Sequence, residues 1–376
     1  MKIAVNTRLL IKDKLEGFGW FTNETLKRIT TLHREHEFIF IFDRKYDEEF
    51  VFSDNITPVV SYPQARHPVL WYFFFDWGVP AVLKKHKADM FFSPEGWLSL
   101  RTDIPSLPVI HDLNFFHNPQ WVDWFPRKYY NYFFPRFIKK ASRIATVSTY
   151  SQHDIAKRFN VPLREIDVVY NGSHEKYEPL SAEEIKAVRI KYTDGQPYFL
   201  FVGLVHPRKN LTNIIYAYNE FRKKSDCKIK FVVVGSTKYW SSDTQEAYTN
   251  SPYREDIIFI GRLQVDELQK IYGASLALIY ASLFEGFGIP ILEAMNCDVP
   301  VITSEVTSMP EVGGKAALYV DPYSVDSITS AMEKLHKDKS LIINMIEEGK
   351  KQRSKFSWDK TAEKLWESIE KTLKLT

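Results

Sequence analysis

The stretch Ser282-Leu-Phe-Glu-Gly-Phe-Gly-Ile-Pro-Ile-Leu-Glu293 follows a strand-like run, Leu276–Ala281. Gly286 and Gly288 permit a tight turn with close backbone approach. Pro290 suits the first turn of a helix, where its missing N–H leaves nothing unsatisfied. The pattern reads as a strand, a glycine loop and a helix N-terminus. Such a terminus presents unpaired N–H groups and the positive end of the helix dipole, and so attracts phosphate. Glu285 falls on the loop and Glu293 about one turn into the helix. Phosphate does not itself favour nearby carboxylates, so their expected partners are hydroxyls, as on a sugar and a ribose. On spacing alone, a structural turn with a solvated Glu285 and a capping Glu293 stays open.

Outward from this stretch, short apolar runs alternate with helix-like segments in two series. The first contains Lys2–Asn6, Glu37–Phe42, Met90–Ser93, Val109–His111 and Ile144–Ser148. The second contains Tyr198–Gly203, Ile229–Gly235, Ile257–Gly261, Leu276–Ser282, Val299–Ser304 and Leu318–Val320. Strands alternating with helices imply parallel sheets covered on both faces, and two series imply two doubly wound α/β domains. The turn signal Asn171-Gly172, after strand-like Ile166–Val169, marks the boundary. The expected domains are residues 1–172 and 173–358. The tail Asp359–Leu375 is amphipathic, with Ala362, Leu365, Trp366, Ile369 and Leu373 on one face. Open parallel sheets bind ligands at the carboxyl ends of their strands. Two facing domains would set those ends across a cleft.

Three further segments fall at such ends. Gly203-Leu-Val-His-Pro-Arg-Lys-Asn-Leu211 offers Arg208 as a planar fork for phosphate oxygens and Lys209 as a mobile point charge. Read alone, it is also a solvated basic turn. Val109-Ile-His-Asp-Leu113 presents His111, able to donate to a substrate hydroxyl or leaving-group oxygen, and Asp112, able to orient a loop. A hydrogen-bonded core histidine is the alternative. Glu16-Gly-Phe-Gly-Trp-Phe-Thr22 precedes a helix expected over Phe21–Leu32. It lacks the third glycine of a dinucleotide fingerprint and begins ten residues after the first strand, which argues against nicotinamide or flavin. A loop holding Gly17 and Gly19 toward phosphate or acceptor remains.

Composition narrows the class. With 376 residues the chain is long enough for about two domains. Fifty bases against 47 acids give a net charge of +3, too near balance for a nucleic-acid protein that neutralises many phosphates. Two cysteines, Cys227 and Cys297, build neither a zinc site nor a disulfide framework and suggest a reducing compartment. MKIAVNTRLL is no signal peptide and no run of about 18 apolar residues occurs, so a cytoplasmic protein is expected. There is no Asp-x-Asp pair and no P-loop, so no metal and no cofactor are expected, and phosphate must be met by Arg208, Lys209 and helix N-termini. Between Arg127 and Arg164 nine bases face one acid, Asp154, amid Tyr129, Tyr130, Tyr132, Phe133, Phe134 and Phe137. Bases with aromatics suit an anionic membrane surface. An aromatic core stripe with a solvated basic face suits them equally.

These motifs resemble GT-B glycosyltransferases of family 4, the large retaining group. The likeness covers nearly the whole chain. It is most specific at Glu285-x7-Glu293 within EGFGIPILEAM, then at Pro300–Ser304 and Ser308–Gly313. Gly203–Asn210 and Val109–Leu113 match further landmarks, and Phe356-Ser-Trp358 resembles the start of a helix, here 359–376, that crosses back to the first domain. The resemblance implies two Rossmann-like domains, the first for acceptor and the second for a nucleotide-sugar donor. It implies that Glu293 bonds the ribose, Glu285 meets the donor sugar, and backbone amides of Gly286, Phe287, Gly288 and Ile289 hold sugar or phosphate. Gly203, Arg208 and Lys209 would bind the diphosphate, His111 would touch the sugar, and Arg262 and Leu263 would lie near the base. The implied reaction is metal-independent hexosyl transfer with retention. The wording is closest to bacterial mannosyltransferases of O-antigen pathways, which favours GDP-mannose and a glycan or lipid-linked glycan acceptor. A UDP-sugar-dependent glucosyl or N-acetylhexosaminyl transferase, and a non-catalytic nucleotide-sugar-binding partner, are the alternatives. Two departures stand out: Asp298 where the family usually has glycine, and Trp20 where an Arg often follows the first glycines.

Overall fold

In the computed structural model residues 1–225 and 227–374 are described, so Leu375 and Thr376, the end of the expected tail helix, lie outside the described residues. The chain forms two compact units. One is Met1–Asn171 together with the segment from Ser357, and the other is Gly172–Phe356.

The first unit is built on seven strands: β1 (Lys2–Asn6), β2 (Glu37–Phe42), β3 (Ile56–Val60), β4 (Met90–Ser93), β5 (Ser106–Ile110), β6 (Ile144–Thr146) and β7 (Ile166–Val168). All pair in parallel, in the order β3-β2-β1-β4-β5-β6-β7. Central strands such as β4 are buried at every position, which is why they read as unbroken apolar runs rather than alternating ones. Strand β3 escapes such a reading. It is short, carries Pro58, and lies at the sheet edge, where a residue lacking an N–H is tolerated.

The helix expected from Phe21 begins at Gly17 and runs to Leu32. Gly17 and Gly19 therefore stand in its first turn and not in a loop, which corrects the sequence reading. Gly19 is needed there, because a Cβ would lie 3.1 Å from both the Leu9 carbonyl oxygen and the Leu15 side chain. The tail helix, Trp358–Leu373, packs on this helix. His33 stacks on Trp366 at 3.6 Å, Arg28 Nε donates to Asp359 Oδ1 at 2.5 Å, and Ala362, Leu365, Trp366, Ile369 and Leu373 are buried. Each large apolar side chain so buried contributes about 1.5–3 kcal/mol.

The aromatic stretch divides between core and surface. Phe74, Phe75, Trp97, Phe134 and Phe137 are buried in one cluster. Phe73, Trp77, Trp124, Phe125 and Tyr132 are exposed. Among the bases, Lys140 pairs with Asp103 and Arg143 with Asp167.

The second unit holds β8 (Tyr198–Val202), β9 (Lys230–Val234), β10 (Ile257–Gly261), β11 (Ala277–Tyr280), β12 (Val301–Ser304) and β13 (Ala317–Val320). They too are all parallel, ordered β10-β9-β8-β11-β12-β13. Chain direction across the sheet reverses between β8 and β11. In the first unit it reverses between β1 and β4. At such switch points the loops leave toward opposite faces and open a crevice at the strand ends.

Candidate active site

At the switch point of the second unit, the loops after β8 and β11 meet. Gly203 directly follows β8 with φ +152°, and Gly235 directly follows β9 with φ +148°. A Cβ on Gly235 would lie 1.8 Å from the Gly203 carbonyl oxygen, so the two strand ends approach this closely only because position 235 is glycine. The Pro207–Lys209 turn follows, with His206 Nδ1 accepting from the Arg208 N–H at 3.1 Å. Asn210, at φ +62°, starts the Leu211–Lys224 helix, and its Nδ2 donates to the carbonyls of Ala281 (2.9 Å) and Pro322 (2.7 Å). The Leu283 N–H donates to the Arg208 carbonyl at 2.8 Å. The basic turn is thereby sewn to the glycine loop.

This brings together three of the candidate residues. Arg208 Nη1 donates to Glu285 Oε2 at 2.6 Å and to the Phe284 carbonyl at 2.9 Å. Lys209 Nζ donates to Glu285 Oε1 at 2.6 Å and to the Tyr280 hydroxyl at 2.7 Å. Burial pushes the Glu285 carboxyl up, but the Arg208 and Lys209 charges outweigh it and hold the group down at about 2. The cluster is ionised at neutral pH, with two positive charges against one negative. Glu285 is buried, so neither a solvated glutamate nor a solvated basic turn describes these residues.

The glycine loop is fixed from below. Ser308 Oγ donates at 2.9 Å to the carbonyls of both Glu285 and Phe287. Gly288, at φ +110°, is the residue before the Ile289–Asn296 helix, and no side chain caps that end. Of the first-turn residues, Pro290 has no N–H and the Ile291 N–H donates to the Gly288 carbonyl at 3.0 Å. Glu293 lies within this helix and is no cap. Tyr272 Oη donates to Glu293 Oε2 at 2.7 Å. Burial pushes the Glu293 carboxyl up, and the hydrogen bonds from Tyr272 and Tyr177 work against that rise.

Asp298 adopts the left-handed conformation expected of the glycine it replaces, at φ +54° just past the helix. Arg353 holds it: one Nη1 reaches Asp298 Oδ1 at 3.0 Å and the carbonyls of Met295 (2.6 Å) and Asn296 (2.9 Å). The helix end keeps its geometry with a side-chain clamp in place of glycine. Arg262 and Leu263 follow β10, which is an edge strand with β9 between it and β8. They share the carboxyl edge of the sheet with the ion cluster. Trp20 is half-buried inside the Gly17–Leu32 helix.

In the first unit, His111 follows β5 and its Nε2 faces the Pro94 carbonyl oxygen at 2.8 Å. Only an N–H can meet a carbonyl there, so Nδ1 carries the lone pair. Burial pushes the imidazole down to about 4, so it is neutral at pH 7. A neutral ring with Nε2–H engaged accepts a hydrogen bond at Nδ1. This corrects the expectation that His111 donates to substrate. Phe18 and Phe21 pack on the ring at 4.4 and 5.0 Å, which joins His111 to the segment carrying Gly17 and Gly19. Asp112 Oδ1 accepts from the Asn114 N–H at 2.9 Å, orienting the following turn. His117 Nε2 pairs with Asp154 at 2.8 Å. Among the described residues no group of three or more His, Cys, Asp or Glu is placed to hold a metal ion.

The sequence reading missed several residues of these crevices. In the first unit, Arg8 makes a buried bidentate pair with Glu95 (both bonds 2.5 Å), joined by Asn6 Nδ2 at 2.5 Å, at the β1/β4 switch point. In the second, Gly235, Tyr272 and Tyr280 were overlooked. Gly235 could have been found, since it ends an apolar run just as Gly203 does. The others carry no local signal, because tyrosines inside apolar runs read as core.

Residues 183–352 match the family described as Glycosyl transferases group 1, and residues 27–175 match Glycosyltransferase Family 4. The chain is 31% identical over 279 residues to O-antigen chain mannosyltransferase B of Escherichia coli, covering 74% of this chain and 73% of that one. It is 29% identical over 285 residues to the O-antigen chain mannosyltransferase RfbU of Salmonella typhimurium, covering 75% and 74%. The solved sucrose-phosphate synthase of Thermosynechococcus elongatus, 15% identical, matches over 100% of both chains with a TM-score of 0.80, a likeness of fold. Two parallel-sheet units, each with its own family match, and a relative this similar over most of its length leave one assignment: the chain belongs to the GT-B glycosyltransferases of family 4.

Proposed function

We propose that the chain transfers mannose, with retention of configuration, from GDP-mannose to a glycan or lipid-linked glycan of an O-antigen-type polysaccharide. The observation that carries this is the Arg208–Glu285–Lys209 cluster at the β8/β11 switch point. The mannosyltransferase names of the two O-antigen relatives support the choice of sugar. In this reading the second unit takes the donor and the first takes the acceptor. Arg208, Lys209 and the positive end of the Ile289–Asn296 helix neutralise the departing diphosphate, the electrostatic stabilisation that transfer requires. Two fixed side-chain cations supply this charge without a divalent ion. Glu285 meets the sugar as positive charge develops on it, and Glu293 accepts from the ribose hydroxyls. Gly203 and Gly286 let the backbone approach the phosphates, Arg262 and Leu263 lie toward the base, and His111 accepts from a sugar hydroxyl. The intact ion cluster disfavours a non-catalytic role.

Purified chain supplied with GDP-mannose and a lipid-linked acceptor should transfer mannose equally with and without a chelator. Lys209→Ala should lower the rate at least about tenfold, or about 1.4 kcal/mol. Loss of activity with chelator, or an unimpaired Lys209→Ala enzyme, refutes the reading. Transfer from a UDP-hexose instead would replace GDP-mannose while keeping the cluster's role.

A seat on the cytoplasmic face of an anionic membrane is part of the same proposal. Among the described residues no helix is long and apolar enough to cross a bilayer. The helix Trp124–Lys140 has five bases and no acid. Lys128 lies over exposed Trp124 at 4.2 Å, Arg136 over exposed Tyr132 at 3.6 Å, and Arg101 over exposed Trp77 at 4.1 Å. Aromatic rings flanked by cations suit the headgroup layer. Trp124→Ser with Lys128→Ser should reduce sedimentation with phosphatidylglycerol vesicles, and unchanged binding refutes the seat.

A further inference from the structure

The Glu293 carboxylate is held by two buried phenols. Tyr272, on the Val265–Gly273 helix, is 0% exposed, and its hydroxyl donates to Glu293 Oε2 at 2.7 Å. Tyr177, 6% exposed, acts on the same carboxylate as a second hydrogen-bond donor. The two rings meet edge-on at 5.5 Å and 85°.

This pair is itself clamped. Gln269 Nε2 donates to the Glu178 carbonyl at 2.8 Å, one residue beyond Tyr177. A Cβ at Gly273, beside Tyr272, would lie 2.7 Å from Leu180 Cγ, so the 177–180 segment presses directly on the corner that carries Tyr272. Cys297 Sγ contacts the Gln269 carbonyl from the end of the Glu293 helix. Three elements thus lock one glutamate.

A glutamate side chain loses considerable rotamer freedom when it is immobilised. Here that loss is met before any ligand arrives. With phenols on one side, the carboxylate has acceptor positions left over for O–H donors. A vicinal diol supplies two such donors.

We propose that Tyr272, with Tyr177 behind it, is the positioning residue that aims Glu293 at the two ribose hydroxyls of the donor, so that this buried pair sets the preference for a ribonucleotide over a 2′-deoxyribonucleotide. The inference rests on the proposed role of Glu293. Tyr272 itself touches no substrate.

The test is calorimetric titration of the full chain with GDP and with 2′-deoxy-GDP. The wild type should favour GDP. Tyr272→Phe should weaken GDP by about fivefold, the worth of one hydrogen bond, and leave 2′-deoxy-GDP within about twofold. A purely structural defect would weaken both alike. Tyr177→Phe should act in the same direction and carries the comparison if Tyr272→Phe does not fold. Glu293→Ala separates the two layers. If it erases the preference and Tyr272→Phe and Tyr177→Phe keep it in full, the positioning inference is overturned and the Glu293 role stands. If Glu293→Ala keeps the preference, the Glu293 role fails and the inference with it.

Discussion

Replacing Glu285 by glutamine removes the one negative charge from a cluster that holds two positive ones, keeps the size, and turns one of the two accepting oxygens into an NH2 donor that faces a cation. The carboxyl is depressed from 4.5 to about 2, so it contributes stability that is fully present above pH 4.5 and lost as pH falls through 2. At 1.36 kcal/mol per unit the amount is about 3 kcal/mol. Breaking a buried pair by removing one partner costs a similar about 3–5 kcal/mol. The Arg208 side chain is 25% exposed and Lys209 11%, so water softens the loss and the lower end applies. Thermal unfolding of Glu285→Gln should therefore show a loss of about 2–3 kcal/mol at pH 7 that shrinks toward pH 2. A nucleoside diphosphate replaces the missing charge. On the proposed reading it should bind the variant about tenfold more tightly, because a repulsion of about 3 kcal/mol between unit charges some 5 Å apart at an effective dielectric of 20 is only partly relieved. Mannosyl transfer should fall, since the sugar loses its carboxylate. Equal melting of the two proteins across this pH range, or weaker GDP binding by the variant, refutes the charge balance argued here.

Other perturbations probe the supports of the site. Gly235→Ala places a Cβ 1.8 Å from the Gly203 carbonyl oxygen and should cost more than about 3 kcal/mol in thermal unfolding, a loss that backbone strain of this size requires. Asp298→Ala keeps the left-handed φ and loses the carboxylate bond from Arg353, which still holds the Met295 and Asn296 carbonyls, so it should destabilise by about 1–2 kcal/mol, whereas in Asp298→Gly the relief of the left-handed φ should offset that lost bond. His111, depressed to about 4, contributes stability present above pH 6.5 and lost as pH falls through 4; the wild type should lose stability over that window more steeply than His111→Gln in acid titration monitored by fluorescence.

The doubly wound fold was legible because buried parallel strands leave continuous apolar runs, as in β1, β2, β4 and β8. Where that signal is broken, so was the reading. Pro58 interrupts β3, and Pro108 hides the first half of β5, which begins at Ser106 rather than Val109. Glu16 made the first glycines look like a loop because no side chain caps the helix that starts at Gly17. At the site, spacing identified Arg208, Lys209, Glu285 and Glu293, since each stands at a strand end or just inside a helix. It was silent on pairing. That Glu285 is the counter-ion of both cations follows from sheet order, with β11 directly beside β8 although 74 residues lie between the end of β8 and the start of β11. That a phenol on the Val265–Gly273 helix holds Glu293 is likewise a tertiary fact, absent from any local pattern.

The pairing changes how the two cations are understood. Arg208 and Lys209 left alone in a half-buried pocket would repel each other. Glu285 between them, at 2.6 Å from each, offsets that repulsion and holds both in place. On the proposed reading, a diphosphate arriving at that cluster meets cations whose positions are already fixed, and it shares them with a carboxylate that competes for the same N–H groups. Ground-state binding is thereby moderated. In the proposed transfer, negative charge grows on the phosphate and positive charge on the sugar as the sugar bond breaks, so the cations would favour the first and the carboxylate the second. The same triad then serves the transition state better than the ground state, which is the condition for raising the rate of transfer rather than merely tightening the complex.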